Sequence, residues 1–206
     1  MDKFGREIFT NEMLTKRKLI QRTVALAHRY GRTVMCHGQR SFFPFQCGMA
    51  DYWFPCEQHS AAVQRNIWCY TDEVPDDIWQ SEYNRDVLGI GVVFLPALWY
   101  ADRGKYVNDK TTEAMIAMLQ LHDVDSSLLW AKGSVFCRLW DILGKYGVDK
   151  KETKCHLYYE DKTVKSSNPD VRVTWYECPG GNTVLFLSNK DRSEERRVGK
   201  ECRSRW

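Results

Sequence analysis

The stretch GMADYWFPCEQHS, residues 48–60, concentrates side chains that could bind or cleave a sugar. Asp51 and Glu57 are two carboxylates, and the aromatic residues Tyr52 and Trp53 lie between them. Carboxylates accept hydrogen bonds from sugar hydroxyls or protonate a glycosidic oxygen, while aromatic faces stack on a sugar ring. Because the stretch shows neither a helical nor a strand period, it is read as a loop, and these four residues are its candidate sugar contacts.

Two other interpretations of the same region stay open. In a structural one, Asp51 caps a turn and Trp53 packs beneath the loop. In another, zinc or thiol chemistry uses the nearby cysteines and histidines, which are Cys36, His37, Cys47, Cys56 and His59. None of their spacings is a known zinc pattern, and neighbours on a strand, such as Cys36 and His37, point to opposite faces. We therefore predict no metal and no cofactor.

Regular elements precede the loop. Residues 13–30 predict an amphipathic helix, ended by Gly31, whose apolar stripe comprises Leu19, Ile20, Thr23, Val24, Ala27 and Tyr30. The run RTVMCH, residues 32–37, has no polar break and predicts a strand buried on both faces. His37 ends this strand and stands at the start of the long loop.

A second helix and strand follow the loop. Residues 38–76 read as one long irregular segment, residues 76–89 as a helix, and IGVVFLP, residues 90–96, as a second buried strand. This repeat of helix and buried strand predicts a parallel sheet with helical crossovers. Because ligands bind at the carboxyl ends of parallel strands, residues 38–69 are predicted to form part of the binding cleft.

The remainder of the chain changes character near Val148. Before it, one helix is expected to start near Thr112 and another to span residues 128–145. After it, three strands are predicted, at residues 155–160, 171–177 and 183–188, with a CPGGN hairpin at 178–182. An antiparallel domain is therefore expected to begin at residue 149. Because three strands are few for an independent sheet, we expect the chain to be a truncated fragment.

The last fifteen residues, RSEERRVGKECRSRW at 192–206, differ from everything before them. They resemble the in-frame translation of a sequencing-library adapter, so we predict a non-native tail and exclude it from the fold. The tail holds all of the net charge of +3, since residues 1–191 contain 24 basic and 24 acidic side chains. A charge-neutral body gives no support for a nucleic-acid partner. Residues 1–191 also contain no apolar run long enough to span a membrane.

Several motifs in order resemble the C-terminal half of bacterial glycoside hydrolases of the family-123-like group. They are TVMCHG at residues 33–38, GMADYWFPCEQ at 48–58, VLGIGVVFLP at 87–96 and VTWYECPGGNTVLFLSN at 173–189. The resemblance implies that residues 1–148 are the C-terminal part of a (β/α)8 (TIM) barrel and that residues 149–191 begin a β-sandwich. It implies a hydrolase that cleaves terminal N-acetylhexosamine or related glycosides.

Characterised members of that group use an adjacent Asp-Glu pair after an earlier barrel strand, which the resemblance places upstream of residue 1. The catalytic residues of the parent are therefore unknown here, and the fragment alone is expected to be inactive. The resemblance leaves Asp51, Glu57, Tyr52, Trp53 and His37 as substrate-binding residues with a carbohydrate as the partner. It favours a periplasmic or secreted location. A non-catalytic carbohydrate-binding or scaffold protein remains the alternative.

Overall fold

Two β-sheets of different type organise the chain. The computed structural model describes residues 3–7, 13–37, 48–55, 57–161 and 163–189. The helices are α1 (Met13–Arg29), α2 (Ser60–Arg65), α3 (Asp76–Glu82), α4 (Arg85–Leu88), α5 (Asp109–Leu121) and α6 (Gly133–Tyr146). The strands are β1 (Met35–His37), β2 (Tyr52–Phe54), β3 (Gly91–Phe94), β4 (Asp125–Ser126), β5 (Lys154–His156), β6 (Val171–Glu177) and β7 (Thr183–Asn189).

The first sheet is parallel, as the sequence predicts. Its strands lie in chain order, β1-β2-β3-β4. Met35 pairs with Tyr52, Tyr52 with Gly91, and Val93 with Asp125. All four carboxyl ends therefore meet at one edge of the sheet. The mixed α/β class is confirmed, with the predicted strand 90–96 observed as β3.

The second sheet is small and antiparallel, in the order β5-β6-β7. The predicted strands 171–177 and 183–188 are confirmed as β6 and β7, which pair along seven positions from Val171 opposite Asn189 to Glu177 opposite Thr183. A short 3₁₀ turn, Pro179–Gly181, joins them, with Gly180 and Gly181 in the left-handed region that glycine tolerates. The predicted strand 155–160 is shorter, because β5 ends at His156.

Aromatic side chains form the centre of the core between the parallel sheet and its helices. The Trp79 ring packs against Tyr83 and Phe94 with centroid distances of 4.8 and 5.6 Å. The Trp53 ring stacks on Tyr83 at 6.4 Å, and all four side chains are buried. A region rich in aromatic residues therefore contributes directly to the fold.

Helix α5 contacts both sheets. It begins with a capping box in which the Asn108 side chain accepts from Thr111 N–H and the Thr111 hydroxyl faces the Asn108 N–H. At its end, Thr174 Oγ1 of β6 donates to the Leu121 carbonyl at 2.6 Å. Together with contacts to β7, this bond holds the antiparallel sheet against the same helix that packs on the parallel sheet.

The prediction that residues 38–76 form one irregular segment is wrong for the middle and the end of that range. The structure places β2 there, followed by a 3₁₀ turn, Glu57–His59, then α2 and a second 3₁₀ turn, Tyr70–Glu73. A strand of three residues is too short to show a period, and Pro55, a residue typical of loops, follows it directly. Residues 38–47 lie outside the described residues, as do Cys56 and the tail 192–206.

The burial expected for the first helix and strand is also wrong. Of the described side chains of α1, Val24 alone is buried. Leu19 and Tyr30 of the expected apolar stripe are exposed. Met35 of β1 is 52% exposed, because β1 pairs with β2 on one side and has no further strand on the other among the described residues. An apolar pattern predicted the elements but not what covers them.

The helix boundaries differ in two places. The expected helix 76–89 is divided at Tyr83 and Asn84 into α3 and α4. The expected helix 128–145 begins only at residue 133, because residues 128–132 form a turn after β4. None of the helices in the described ranges is both long and apolar enough to cross a membrane.

Candidate functional site

Four side chains gather where the strands of the parallel sheet end. His37 is the last residue of β1, and Glu57 follows β2 by three positions. Tyr100 lies in a 3₁₀ turn after β3, and Trp130 lies in the turn after β4. We call these four residues the carboxyl-edge cluster. Ligands bind at this edge in parallel α/β folds, whether the sheet is open or closed.

Glu57 is the centre of the cluster. The Tyr100 hydroxyl donates to its Oε1 at 3.3 Å, and His37 Nε2 lies 3.8 Å from its Oε2. The Glu57 side chain is 32% exposed and that of His37 43%, so both are open to a ligand. The carboxylate therefore has one hydroxyl donor already in place and room to accept hydrogen bonds from a bound molecule.

The backbone fixes the tautomer of His37. Its Nδ1 lies 2.7 Å from the Phe54 carbonyl oxygen, and since that oxygen can only accept, Nδ1 carries a proton. In the neutral ring Nε2 is then an acceptor, and it becomes a donor to Glu57 only when the imidazole is protonated. A ligand hydroxyl between Nε2 and Oε2 would satisfy both atoms of the neutral form.

Tyr100 is held as a neutral donor. Partial burial raises the pKa of its phenol, and the neighbouring negative charge of Glu57, together with the hydrogen bond to it, raises that pKa further. A proton on Tyr100 is therefore retained across the neutral range. Its ring also packs edge-on against Trp130, with centroids 5.2 Å apart and planes at 79°.

Trp130 has a backbone conformation that is rare for its residue type. Its φ is +62°, in the left-handed region where a side chain costs energy. The turn around it is fixed because Leu129 N–H donates to Ser127 Oγ at 3.0 Å and Lys132 N–H to Thr112 Oγ1 at 3.0 Å. Such backbone strain concentrates at functional sites. The fixed turn presents the Trp130 ring beside Tyr100.

The structure separates the two carboxylates that the sequence places together. Asp51 lies at the amino end of β2 and Glu57 beyond its carboxyl end, so the strand stands between them. Residues 51 to 55 alone span about 13 Å of extended chain. Asp51 and Glu57, which the sequence analysis assigns to one loop, therefore lie at opposite ends of β2.

Asp51 instead joins the first helix to the sheet. Its two carboxylate oxygens accept from His28 Nε2 of α1, each at 3.0 Å, and Oδ2 accepts from the Val34 N–H at 2.7 Å. These hydrogen bonds lower the pKa of Asp51 below its ordinary value, and the bond from His28 has the largest effect. The contacts are those of a structural carboxylate.

The aromatic pair next to Asp51 also separates. Trp53 is fully buried in the core, whereas Tyr52 lies at the amino end of β2 and is 37% exposed. Tyr52 packs across Gly91, where a Cβ would lie 2.4 Å from the Tyr52 ring. The predicted set thus divides into His37 and Glu57 at the carboxyl edge, Asp51 and Tyr52 at the amino edge, and Trp53 in the core.

Sequence reasoning missed Tyr100 and Trp130. Tyr100 stands six residues past β3, within the stretch LWYAD. At that distance from the strand, the sequence does not indicate that Tyr100 lies at the carboxyl edge of the sheet. Trp130 follows β4, which has two residues and therefore no detectable pattern. The available sequence signal for Tyr100 was the group of aromatic residues that follows the predicted strand ending at Pro96.

A second polar group lies at the amino ends of β3 and β4. The Tyr176 hydroxyl donates to Asp123 Oδ1 at 2.8 Å, and Arg85 Nη2 lies 3.7 Å from Oδ2. Enclosure by the protein raises the pKa of Asp123, and the hydrogen bond from Tyr176 opposes this. His122 and Asp123 are the first residues after α5.

The zinc interpretation gains no support from the residues that are described. Among them, no three His, Cys, Asp or Glu side chains are grouped to hold a metal ion. His59 Nε2 lies 2.6 Å from the Tyr83 hydroxyl, and burial lowers the pKa of His59 to about 4, which keeps the ring neutral. Cys47 and Cys56 lie outside the described residues.

We compared the chain with protein-family models, curated proteins and solved structures. No match was found in any of the three comparisons.

Proposed function

We propose that the carboxyl-edge cluster is part of the sugar-binding cleft of a glycoside hydrolase acting on terminal N-acetylhexosamine or related glycosides. The observation that carries the proposal is the arrangement of Glu57 between His37 and Tyr100 at the edge where parallel sheets bind ligands. Glu57 accepts sugar hydroxyls, and His37 Nε2 accepts or donates according to its protonation. The resemblance of the chain to the family-123-like group suggests the sugar.

The aromatic side chains of the cluster support a carbohydrate over a small anion. Tyr100 lies beside the Glu57 carboxylate and the Trp130 ring packs at nearly a right angle to Tyr100, and such aromatic surfaces receive the apolar face of a sugar ring. A negatively charged ligand would meet the Glu57 carboxylate unfavourably. The ligand class that suits the cluster is therefore neutral and rich in hydroxyl groups.

We further propose that the parallel sheet is the C-terminal part of a (β/α)8 barrel. The order β1-β2-β3-β4 follows the chain without reversal, as in a barrel, whereas doubly wound sheets reverse at a switch point. A cleft of about 700 Å³ lies between β4, α6 and the antiparallel sheet. Among the described strands β4 pairs with β3 alone, so its other edge is available for a further strand.

The proposal for the antiparallel sheet is that it begins a β-sandwich. Leu185 and Leu187 on β7 are 48% and 61% exposed, on the face opposite Thr174, which contacts α5. A sandwich covers such a face with a second sheet.

A non-catalytic sugar-binding protein is the second candidate, and one observation favours it. Glycoside hydrolysis ordinarily uses two carboxyl groups. In the part of the chain that the structure describes, Glu57 is the one carboxylate in the cluster. The role we assign to Glu57 is therefore sugar binding in either case, and we assign no catalytic residue in this chain.

The test is binding of the methyl β-glycosides of N-acetylglucosamine and N-acetylgalactosamine to the full chain, followed by NMR. We expect Glu57→Gln to raise Kd about tenfold or more, because a charged hydrogen bond contributes about 1.5–3 kcal/mol. Glu113→Gln, an exposed carboxylate paired with Arg138 on the far helix, is the matched control and should leave Kd unchanged. Equal affinity of wild type and Glu57→Gln, or no binding of either sugar, would refute the proposal.

A further inference from the structure

Helix α1 is strongly basic and largely uncovered. Its seventeen residues contain no Asp or Glu. Its five Lys and Arg residues are Lys16, Arg17, Lys18, Arg22 and Arg29. Val24 and His28 hold the helix to the sheet, the latter through Asp51. The side of α1 away from Val24 thus remains open within the described part of the chain.

Two ridges of side chains run along this open side. Leu19 and Leu26, seven residues apart, are 65% and 55% exposed. Arg22 and Arg29, also seven apart, each follow one of these leucines by three positions, and the four side chains line a groove of about 600 Å³. Rows of residues spaced by three and four are the ridges and grooves through which helices pack together.

The two arginines of the groove have no acidic partner among the described residues. The ion pairs of the described ranges involve neither Arg22 nor Arg29. An arginine prefers a carboxylate that it can grip with two parallel hydrogen bonds. The charge and shape of the groove therefore complement an acidic helical surface.

We propose that the groove of α1, formed by Leu19, Arg22, Leu26 and Arg29, docks an acidic amphipathic helix of a partner protein. An apolar side chain of the partner fits between the two leucines, and its carboxylates pair with the two arginines. The proposal is independent of the sugar site, because α1 contributes none of the carboxyl-edge cluster.

The charge and the narrow width of the groove exclude two other occupants, which are a second copy of α1 and an anionic bilayer. A second copy of α1 brings the same five positive charges and no acid, so the two surfaces repel. A helix that lies on an anionic bilayer buries a broad apolar face with its cations at the borders. Here the arginines interleave with the leucines along one narrow groove. A protein helix with alternating apolar and acidic positions matches that pattern.

The experiment uses two labelled peptides of identical composition, each about 18 residues long so that a helix can form. One carries Leu and Glu in a helical repeat that gives an apolar stripe with acidic flanks, and the other is its scrambled version. Binding to the full chain is measured by fluorescence anisotropy. Because both peptides carry the same charge, attraction to other basic segments, the tail 192–206 included, cancels in the comparison.

We expect the patterned peptide to bind about tenfold or more tightly than the scrambled one. Arg22→Glu/Arg29→Glu and Leu19→Ser/Leu26→Ser should each abolish this preference, while Lys151→Glu/Lys165→Glu, a charge reversal elsewhere on the surface, should preserve it. Equal binding of the two peptides to the unmodified chain would overturn the proposal whether or not a variant folds. Binding to phosphatidylserine vesicles without peptide preference would overturn it in favour of a membrane surface.

Discussion

Replacing Asp51 by alanine separates its structural role from the sugar-binding role that the sequence suggests. The substitution removes the acceptor of two contacts from His28 and leaves the Val34 N–H, which Asp51 accepts at 2.7 Å, without its partner. An unsatisfied part-buried donor costs about 1–3 kcal/mol, and the half-exposed His28 pair adds little because solvent screens it. We therefore expect a loss of about 2 kcal/mol in the free energy of unfolding.

Urea denaturation and thermal melting measure this loss. For a chain of this size, about 2 kcal/mol corresponds to a drop in Tm of about 4–8 °C. Asp141→Ala on the exposed side of α6 is the control and should change Tm little. Because hydrogen bonds lower the pKa of Asp51 in the folded state, its contribution is complete above about pH 4 and disappears as the pH falls through the lowered value.

The difference between wild type and Asp51→Ala should therefore shrink under acid conditions. Sugar binding should be unchanged in the variant, because Asp51 lies at the opposite end of β2 from Glu57. If Asp51→Ala keeps the wild-type melting temperature and loses sugar affinity, the placement of Asp51 at a structural junction is wrong.

Three further outcomes follow from the packing and charges of the sheet. Trp53→Ala should cost about 3–5 kcal/mol of unfolding free energy, since the side chain is fully buried; a change in sugar affinity at unaltered stability would contradict this. Gly91→Ala should destabilise by about 1–3 kcal/mol through its clash with the Tyr52 ring, and Tyr52→Ala should relieve the clash in a double-mutant denaturation cycle. Glu57→Gln should lower the raised pKa of Tyr100 only in part, because burial is its first cause, and an NMR titration of the phenol checks this.

Long apolar runs and turn residues made part of the fold predictable from the sequence. The run ending at Pro96 predicted β3, and the apolar runs on either side of the Gly180 turn predicted β6 and β7. Strands β2 and β4 have three and two residues, too few to show a period. Their position depends on hydrogen bonds to β3, which is tertiary information that no local pattern carries.

The candidate site, like the fold, was predictable only in part from the sequence. His37 and Glu57 were found because each stands near the end of an element or beside aromatic residues. The error with Asp51 and Trp53 has one cause, since the hidden strand β2 sends neighbours in sequence to opposite ends and faces of the sheet. The position of Trp130 depends on β4, which the sequence does not predict. Its contact with Tyr100 is therefore seen only in the structure.

Three bonds between the antiparallel part of the chain and the helices and turns that precede it have a consequence for how the molecule comes apart. Arg172 pairs with Asp76 at 2.6 Å, Asn84 donates to Tyr159, and Tyr176 donates to Asp123. All three bonds join residues on either side of the link between α6 and β5. A protease cut in that link should leave two pieces that stay associated through gel filtration. The slowest amide protons of both sheets should then exchange at one common rate, as those of a single cooperative unit do.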